Sequence, residues 1–270
     1  IKLINFYLRI NKNSYLIFNM ANVNQKINFI QEINCPEQIK TEYPSNPNIW
    51  QLVSNTRKEI EEVLNNRSNK MIFIVGPCSI HDVKAAMEYA YFLREQIELY
   101  KDKFIIVMRT YFSKPRTTVG WKGLINDPDL NDTYNIEKGL RIARKLLIDI
   151  NNMGVPCAME HLDTIIPQYF DDLLSWGAIG ARTVESQVHR ELASGISTPI
   201  GFKNATNGDI KVAVNAINCS SREHHFLGCN NLGNISTVKT LGNPYCHIVL
   251  RGSNQGANYY SSNIYEVESI

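Results

Sequence analysis

From Met71 onward the sequence repeats one unit: a short, continuously apolar run, then a longer stretch with its apolar residues on one helical face. The apolar runs are 71–75, 104–108, 155–159, 178–181, 199–202 and 247–250. Runs without polar alternation are strands covered on both faces, as in a parallel sheet. Between them Ala86, Ala90, Leu93 and Ile97 recur at helical spacing, as do Ile136, Leu140, Ala143, Leu147 and Ile150. Alternating strand and helix predicts an α/β fold, either a doubly wound sheet or a (β/α)8 barrel, and periodicity alone leaves both open.

A chain of 270 residues, 44% hydrophobic, suffices for one large domain of that kind. Its formal charge of +2, spread evenly, does not suit a nucleic-acid binder, so an anionic partner must be met locally. The six cysteines, at 35, 78, 157, 219, 229 and 246, form no CxxC pair and fit a reducing, cytoplasmic setting. No apolar run is long enough for a membrane span, and Lys2, Arg9 and Lys12 interrupt the first nineteen residues, so a soluble protein is expected. Residues 1–19, ahead of Met20, read as a spurious or upstream segment without assigned function; 20–66, with a helix over 49–64, read as an accessory arm before a catalytic region at 67–270.

Each apolar run ends on a residue with chemistry to offer: Cys78 just past the first, then Arg109, Glu160, Arg182, Lys203 and Arg251. In a barrel such strand ends converge on one face, where the βα loops build the active site. With Lys114 and Arg116 in the loop after the second strand, they predict a pocket for several phosphate or carboxylate groups. Taken singly, a strand-end Lys or Arg does no more than reach solvent; six strands in succession argue for a site. The long stretch 111–135 contains Trp121, Leu124 and Ile125, which argues against disorder, and its Lys114, Arg116, Thr117 and Thr118 read as phosphate ligands rather than a solvated turn. Other residues favour plainer readings: a lone cysteine such as Cys78 is more often inert than a ligand, His247 reads as a satisfied core or rim histidine, and His81 with Asp82 as helix caps. Glu160, an acid among cations, is suited to binding water or handling protons.

The motifs GPCSIHD (76–82), MRTYFSKPRTTVGWKGLINDPDL (108–130), SWGAIGARTVESQVHRELASG (175–195), PIGFKN (199–204) and CHIVLRG (246–252) closely resemble type I 3-deoxy-7-phosphoheptulonate synthase, in the branch regulated by aromatic amino acids. The resemblance runs over about 39–260. It implies a (β/α)8 barrel with an N-terminal regulatory and oligomerisation arm and an inserted β-hairpin over 223–241. It also implies condensation of phosphoenolpyruvate with erythrose 4-phosphate, the first step of the shikimate pathway. Carried over by motif, Cys78 matches a ligand of a divalent metal; Arg109, Lys114, Arg182, Lys203 and Arg251 match the phosphoenolpyruvate site, with Glu160 beside it; Arg116 and Thr117 match the site for the erythrose 4-phosphate phosphate group. Lys114 is expected to donate a proton near the aldehyde and Glu160 to position water. Phe226 and Gly228 fall in the family's inhibitor pocket, where the small Gly228 suits tyrosine.

Two departures qualify the resemblance. Ala205 stands where the family has glycine, which predicts backbone strain if that position needs positive φ. Only about six of the eight barrel strands can be counted, and the family's remaining metal ligands, a His, a Glu and an Asp, would follow Ile270. The chain is therefore expected to be C-terminally truncated and inactive alone, a homo-oligomer when complete. Two rival readings are a catalytically dead remnant that keeps regulatory or oligomer surfaces, and a related synthase acting on a different sugar phosphate.

Overall fold

The computed structural model describes residues 7–11, 14–17, 26–254 and 256–269. The chain forms two compact units, Ile1–Cys35 and Pro36–Ile270. In the first, β1 (Tyr7–Asn11), β2 (Ser14–Ile17) and β3 (Phe29–Gln31) make an antiparallel sheet. The rest of the 1–19 segment, and residues 20–25 of the expected arm, lie outside the described residues.

The second unit opens with α1 (Pro36–Glu42) and α2 (Pro47–Leu64) and continues as strand–helix units: β4 (Met71–Val75), α3 (Val83–Tyr100), β5 (Phe104–Arg109), α4 (Ile136–Asn152), β6 (Cys157–Glu160), α5 (Pro167–Phe170), β7 (Trp176–Ile179), α6 (Gln187–Ala193), β8 (Ile200–Lys203) and α7 (Lys211–Ser220). The hairpin β9 (His225–Cys229) and β10 (Ile235–Lys239) precedes β11 (Cys246–Val249) and α8 (Ser261–Glu268). Helix starts follow local chemistry, since the side chains of Asn46, Asp82 and Asn135 accept hydrogen bonds from Ile49, Ala85 and Lys138 N–H and so cap α2, α3 and α4. Asp82 thus caps as expected, while Ile136, placed on the apolar face by its spacing, is 38% exposed in the first turn of α4.

Six strands form one parallel sheet in the order β11-β8-β7-β6-β5-β4. Consecutive units lie side by side with no reversal of order, which separates this curled part-barrel from a doubly wound sheet. The first strand coincides with its apolar run, and the others differ from theirs by one or two residues. The third starts at Cys157 and not 155, and the fourth is Trp176–Ile179 and not 178–181. It ends there because the Gly180 carbonyl accepts from Thr183 and Val184 N–H at 3.0 and 2.9 Å, which turns the chain.

Alternation along the strands sorts the side chains between two cores. Met108, Cys157 and Met159 face α3 and α4, and Ile200 and Phe202 pack with Ala213 and Ala216 of α7. The opposite residues, Ile105, Val107, Ala158, Trp176 and Ala178, line the interior with Ile60 of α2. There Trp176 Nε1 donates to His247 Nε2 at 3.1 Å, so the half-buried His247 is a satisfied histidine, as its sequence context suggested.

Arg144 of α4 is a buried cation that amphipathic spacing did not reveal. Its guanidinium donates to the Tyr43 carbonyl at 2.8 Å and the Tyr169 carbonyl at 2.7 Å, and grips Asp172 through two bonds of 2.8 Å. One side chain thus ties the α1–α2 connection to α4 and to the 3-10 turn Asp171–Leu173 after α5. Burial alone would raise the Asp172 carboxyl, but the hydrogen bonds and charge of Arg144 outweigh it and hold it below the ordinary range.

Arg144→Met should lower the unfolding free energy by about 3–5 kcal/mol in chemical denaturation, because it strands Asp172. A carboxyl depressed in the folded state contributes stability above its unfolded pKa of about 3.9, and that contribution is lost as pH falls through the folded value. Denaturation curves of the unsubstituted chain should show this acid loss, and those of Arg144→Met should not.

Candidate functional site

Continued beyond the strands, the inward parity of Ile105 and Val107 reaches Arg109, that of Ala158 reaches Glu160, and Lys203 and Arg251 follow on β8 and past β11. These side chains meet in a cavity of about 410 Å³ lined by Cys78, Arg109, Ser113, Lys114, Pro115, Arg116, Thr117, Glu160, Ala181, Arg182, Lys203 and Arg251. All nine residues that the motifs assigned to substrates or metal are therefore brought together. A wider groove of about 670 Å³ beside α4 is not a rival, because its charges are already paired: Arg141 with Glu42 and Glu137, Lys145 with Asp149, and Lys138 with Asp129.

The backbone brings the cavity walls close. Gly76 has φ +144°, and a Cβ there would stand 3.1 Å from the Cβ and carbonyl oxygen of Arg109, so only glycine lets the first strand end against the second. A side chain at Gly180 would collide with Glu160. The loop after β5 is held to itself: Arg116 Nε donates to the Trp121 carbonyl at 2.7 Å, Trp121 Nε1 to the Asp127 carbonyl at 2.8 Å, and Lys114 N–H to the Lys122 carbonyl at 2.7 Å. Arg182 donates to Thr117 Oγ1 at 3.2 Å. The Asn204 side chain accepts from Arg251 N–H at 2.6 Å, fixing the turn after β11. Ala205, at the expected glycine position, is not among the described residues with positive φ, so the anticipated strain is absent.

Six of the lining side chains are cations and one is a carboxylate. Glu160 Oε1 takes Lys203 Nζ at 3.2 Å. The Arg109 guanidinium lies over the Tyr111 ring, 4.2 Å from its centroid, and its Nε is buried without a hydrogen-bond partner among the described residues. An orphaned buried donor beside excess positive charge is the electrostatic form of an anion site. Motif reasoning passed over Tyr111 and Asn204. The first was legible, two residues beyond Arg109 with the same inward parity; the second carries no such signal.

Phe226 and Gly228 line a separate cavity of about 370 Å³, between the inner face of the β9–β10 hairpin and side chains such as Thr164, Gln168, Val188 and Leu192. On the hairpin's outer face, Leu227 is 81% exposed.

Lys114 Nζ donates to Cys78 Sγ. That hydrogen bond is the main cause holding the Cys78 thiol below its ordinary range, whereas burial pushes Cys246 up to about 12. Cys78 is also the exposed cysteine. Its alkylation by iodoacetamide should therefore have the lowest pH midpoint of the thiols, and Lys114→Gln should move that midpoint upward.

Residues 45–270 match the DAHP synthetase I family. The phospho-2-dehydro-3-deoxyheptonate aldolase of Haemophilus influenzae is 52% identical over 248 residues, 92% of this chain and 68% of that protein. The Phe-sensitive enzyme of that name from Escherichia coli K12 is 51% identical over 250 residues, 93% of this chain and 71% of that one. A solved phospho-2-dehydro-3-deoxyheptonate aldolase from Francisella tularensis SCHU S4 superposes with a TM-score of 0.88 at 50% identity, covering 89% of this chain and 70% of that one. With the cationic strand ends of a part-barrel on one side and these matches on the other, the chain belongs to the DAHP synthetase I family.

Proposed function

We propose that the chain is a 3-deoxy-7-phosphoheptulonate synthase, a transferase joining phosphoenolpyruvate to erythrose 4-phosphate with water to give 3-deoxy-D-arabino-heptulosonate 7-phosphate and phosphate. The observation that carries this reading is the cavity of six cations around one carboxylate, with the orphaned Arg109 donor inside it. Relatives named for this enzyme support it over a dead remnant.

In this reading Arg109, Lys114, Arg182, Lys203 and Arg251 hold the carboxylate and phosphate of phosphoenolpyruvate, while Arg116 and Thr117 hold the phosphate of the aldose. Fixed cations offset the repulsion between two anionic substrates and meet charge that develops in the transition state. C3 of phosphoenolpyruvate adds to the aldehyde carbon, and the aldehyde oxygen takes up a proton, for which Lys114 is the donor. Water, positioned by Glu160, adds at C2 and loses its proton, and the C2–O bond breaks to release phosphate. Of the divalent metal implied by the resemblance, Cys78 offers one thiolate, and no group of three or more His, Cys, Asp or Glu able to hold an ion occurs among the described residues. These donors do not by themselves make a metal centre.

The second cavity serves an aromatic amino acid effector. At Gly228 a side chain would press on Val238, 2.7 Å from the Cβ position, so glycine leaves room for the hydroxyl of tyrosine. The exposed Leu227 and Ile235 on the hairpin support a homo-oligomeric contact, and cysteines without CxxC spacing support a cytoplasmic setting. No helix among the described residues is long and apolar enough to cross a membrane.

Calorimetry should detect phosphoenolpyruvate binding, weakened roughly ten- to a hundredfold by Arg182→Ala or Lys203→Ala. Phosphate release should require erythrose 4-phosphate; equal release with arabinose 5-phosphate would sink the assignment. Tyrosine should inhibit more strongly than phenylalanine, and Gly228→Ser should weaken that inhibition. Inhibition by phenylalanine alone would reverse the effector choice.

A further inference from the structure

Six cations at one rim repel each other, and the counter-charges around them are few. Glu160 engages Lys203, and the Cys78 thiol engages Lys114. Arg109 has a buried Nε without a hydrogen-bond partner, and no carboxylate is found within ion-pair distance of it among the described residues. What it has is an aromatic face. The Tyr111 ring lies 4.2 Å from the Arg109 guanidinium carbon, and the same ring lies 5.7 Å from Lys203 Nζ.

We propose that Tyr111 is a positioning residue for the substrate-binding cations, its ring face anchoring Arg109 and Lys203 without neutralising either. The proposal rests on reading this cavity as the phosphoenolpyruvate site. A carboxylate in place of the ring would hold the two cations more tightly, but it would cancel charge that the substrate needs. A ring quadrupole attracts a cation and leaves its net charge unchanged. The ring is suited to the task because it cannot drift: Tyr111 is 3% exposed and packs with Ile105, Val107, Ala158 and Trp176 in the barrel interior. Its carbonyl also accepts from Ile80 N–H at 2.8 Å, which ties the same residue to the loop that carries Cys78. Burial holds the phenol above its ordinary range, so the ring stays neutral beside the cations.

The inference separates the π-face from the hydroxyl and from mere bulk, and the full chain can be tested for each. Variants carrying Tyr111→Phe, Tyr111→Leu, and phenylalanine with one, two or three ring fluorines at position 111 are titrated with phosphoenolpyruvate in a calorimeter. Circular dichroism monitors folding. Tyr111→Phe should bind within about twofold of the unsubstituted chain. Affinity should then fall stepwise with each fluorine, reaching about five- to tenfold at three, because fluorine drains the quadrupole while keeping the ring's shape. Tyr111→Leu should bind at least as weakly as the trifluoro variant; should it fail to fold, the fluorine series decides. Where turnover is measured, the KM for phosphoenolpyruvate should rise along the series with kcat little changed, a split that general loss of packing would not produce. A flat fluorine series, or Tyr111→Phe binding as weakly as the trifluoro variant, would overturn the proposal. Absence of phosphoenolpyruvate binding by the unsubstituted chain would instead overturn the functional reading on which it rests.

Discussion

Mutual repulsion among the cations at the strand ends is the constraint to which the rest of the structure answers. Two unit charges 4 Å apart near a protein surface interact by about 4 kcal/mol, so six around one cavity would splay their loops if nothing held them. The fold holds them chiefly through neutral partners: the Tyr111 ring for Arg109, the Trp121 carbonyl for Arg116, the Thr117 hydroxyl for Arg182, and the Asn204 amide for the backbone of Arg251. Neutral partners fix geometry and leave the charge free for a ligand. The single carboxylate, Glu160, relieves Lys203 and still leaves the cavity strongly positive.

That arrangement depends on parity. Because the sheet is wound singly, each strand presents alternate residues to a common interior, and the last inward residue of each lands on the same rim. One unit also reaches both cavities: β6 ends at Glu160 in the first, and four residues later Thr164 lines the second. Between them His161 is 1% exposed, with neither ring nitrogen hydrogen-bonded among the described residues. Burial, with a smaller contribution from His189, lowers its pKa to about 4, so it stays neutral at physiological pH. The segment joining the cavities therefore starts from a buried, neutral side chain. After α5 the same unit is gripped from the outside by Arg144 through Asp172.

Much of this was legible in the residues. Continuous apolar runs marked all six sheet strands to within two residues, because strands buried on both faces have no polar alternation to blur them. The strand-end cations announced the cavity, since like charges recurring at one structural position have no packing rationale. What stayed hidden was set by tertiary contact. Periodicity could not choose barrel over doubly wound sheet, because strand order is a property of neighbours and not of the strand. Arg144 read as one more polar residue of an amphipathic helix, although its partners Tyr43 and Asp172 lie 101 and 28 residues away. Ala205 looked strained by analogy, and its observed backbone has no need of glycine.

The same repulsion explains why the cavity is built on strands and not on loops alone. A loop carrying a cation can relieve its field by swinging outward, since loop torsions are soft and water is near. A side chain at the end of a paired strand has no such freedom: Arg109 is held by the β5–β6 ladder, Lys203 by β8 between β7 and β11, and Glu160 by β6 between β5 and β7. Lys114, Arg116 and Thr117 sit instead on the long loop after β5, where hydrogen bonds to the Lys122 and Trp121 carbonyls hold the loop to itself. Rigid charges from the sheet and adjustable ones from the loop then divide the work. In the proposed reading the charges of the sheet meet the first anionic substrate, and the loop brings the second against it.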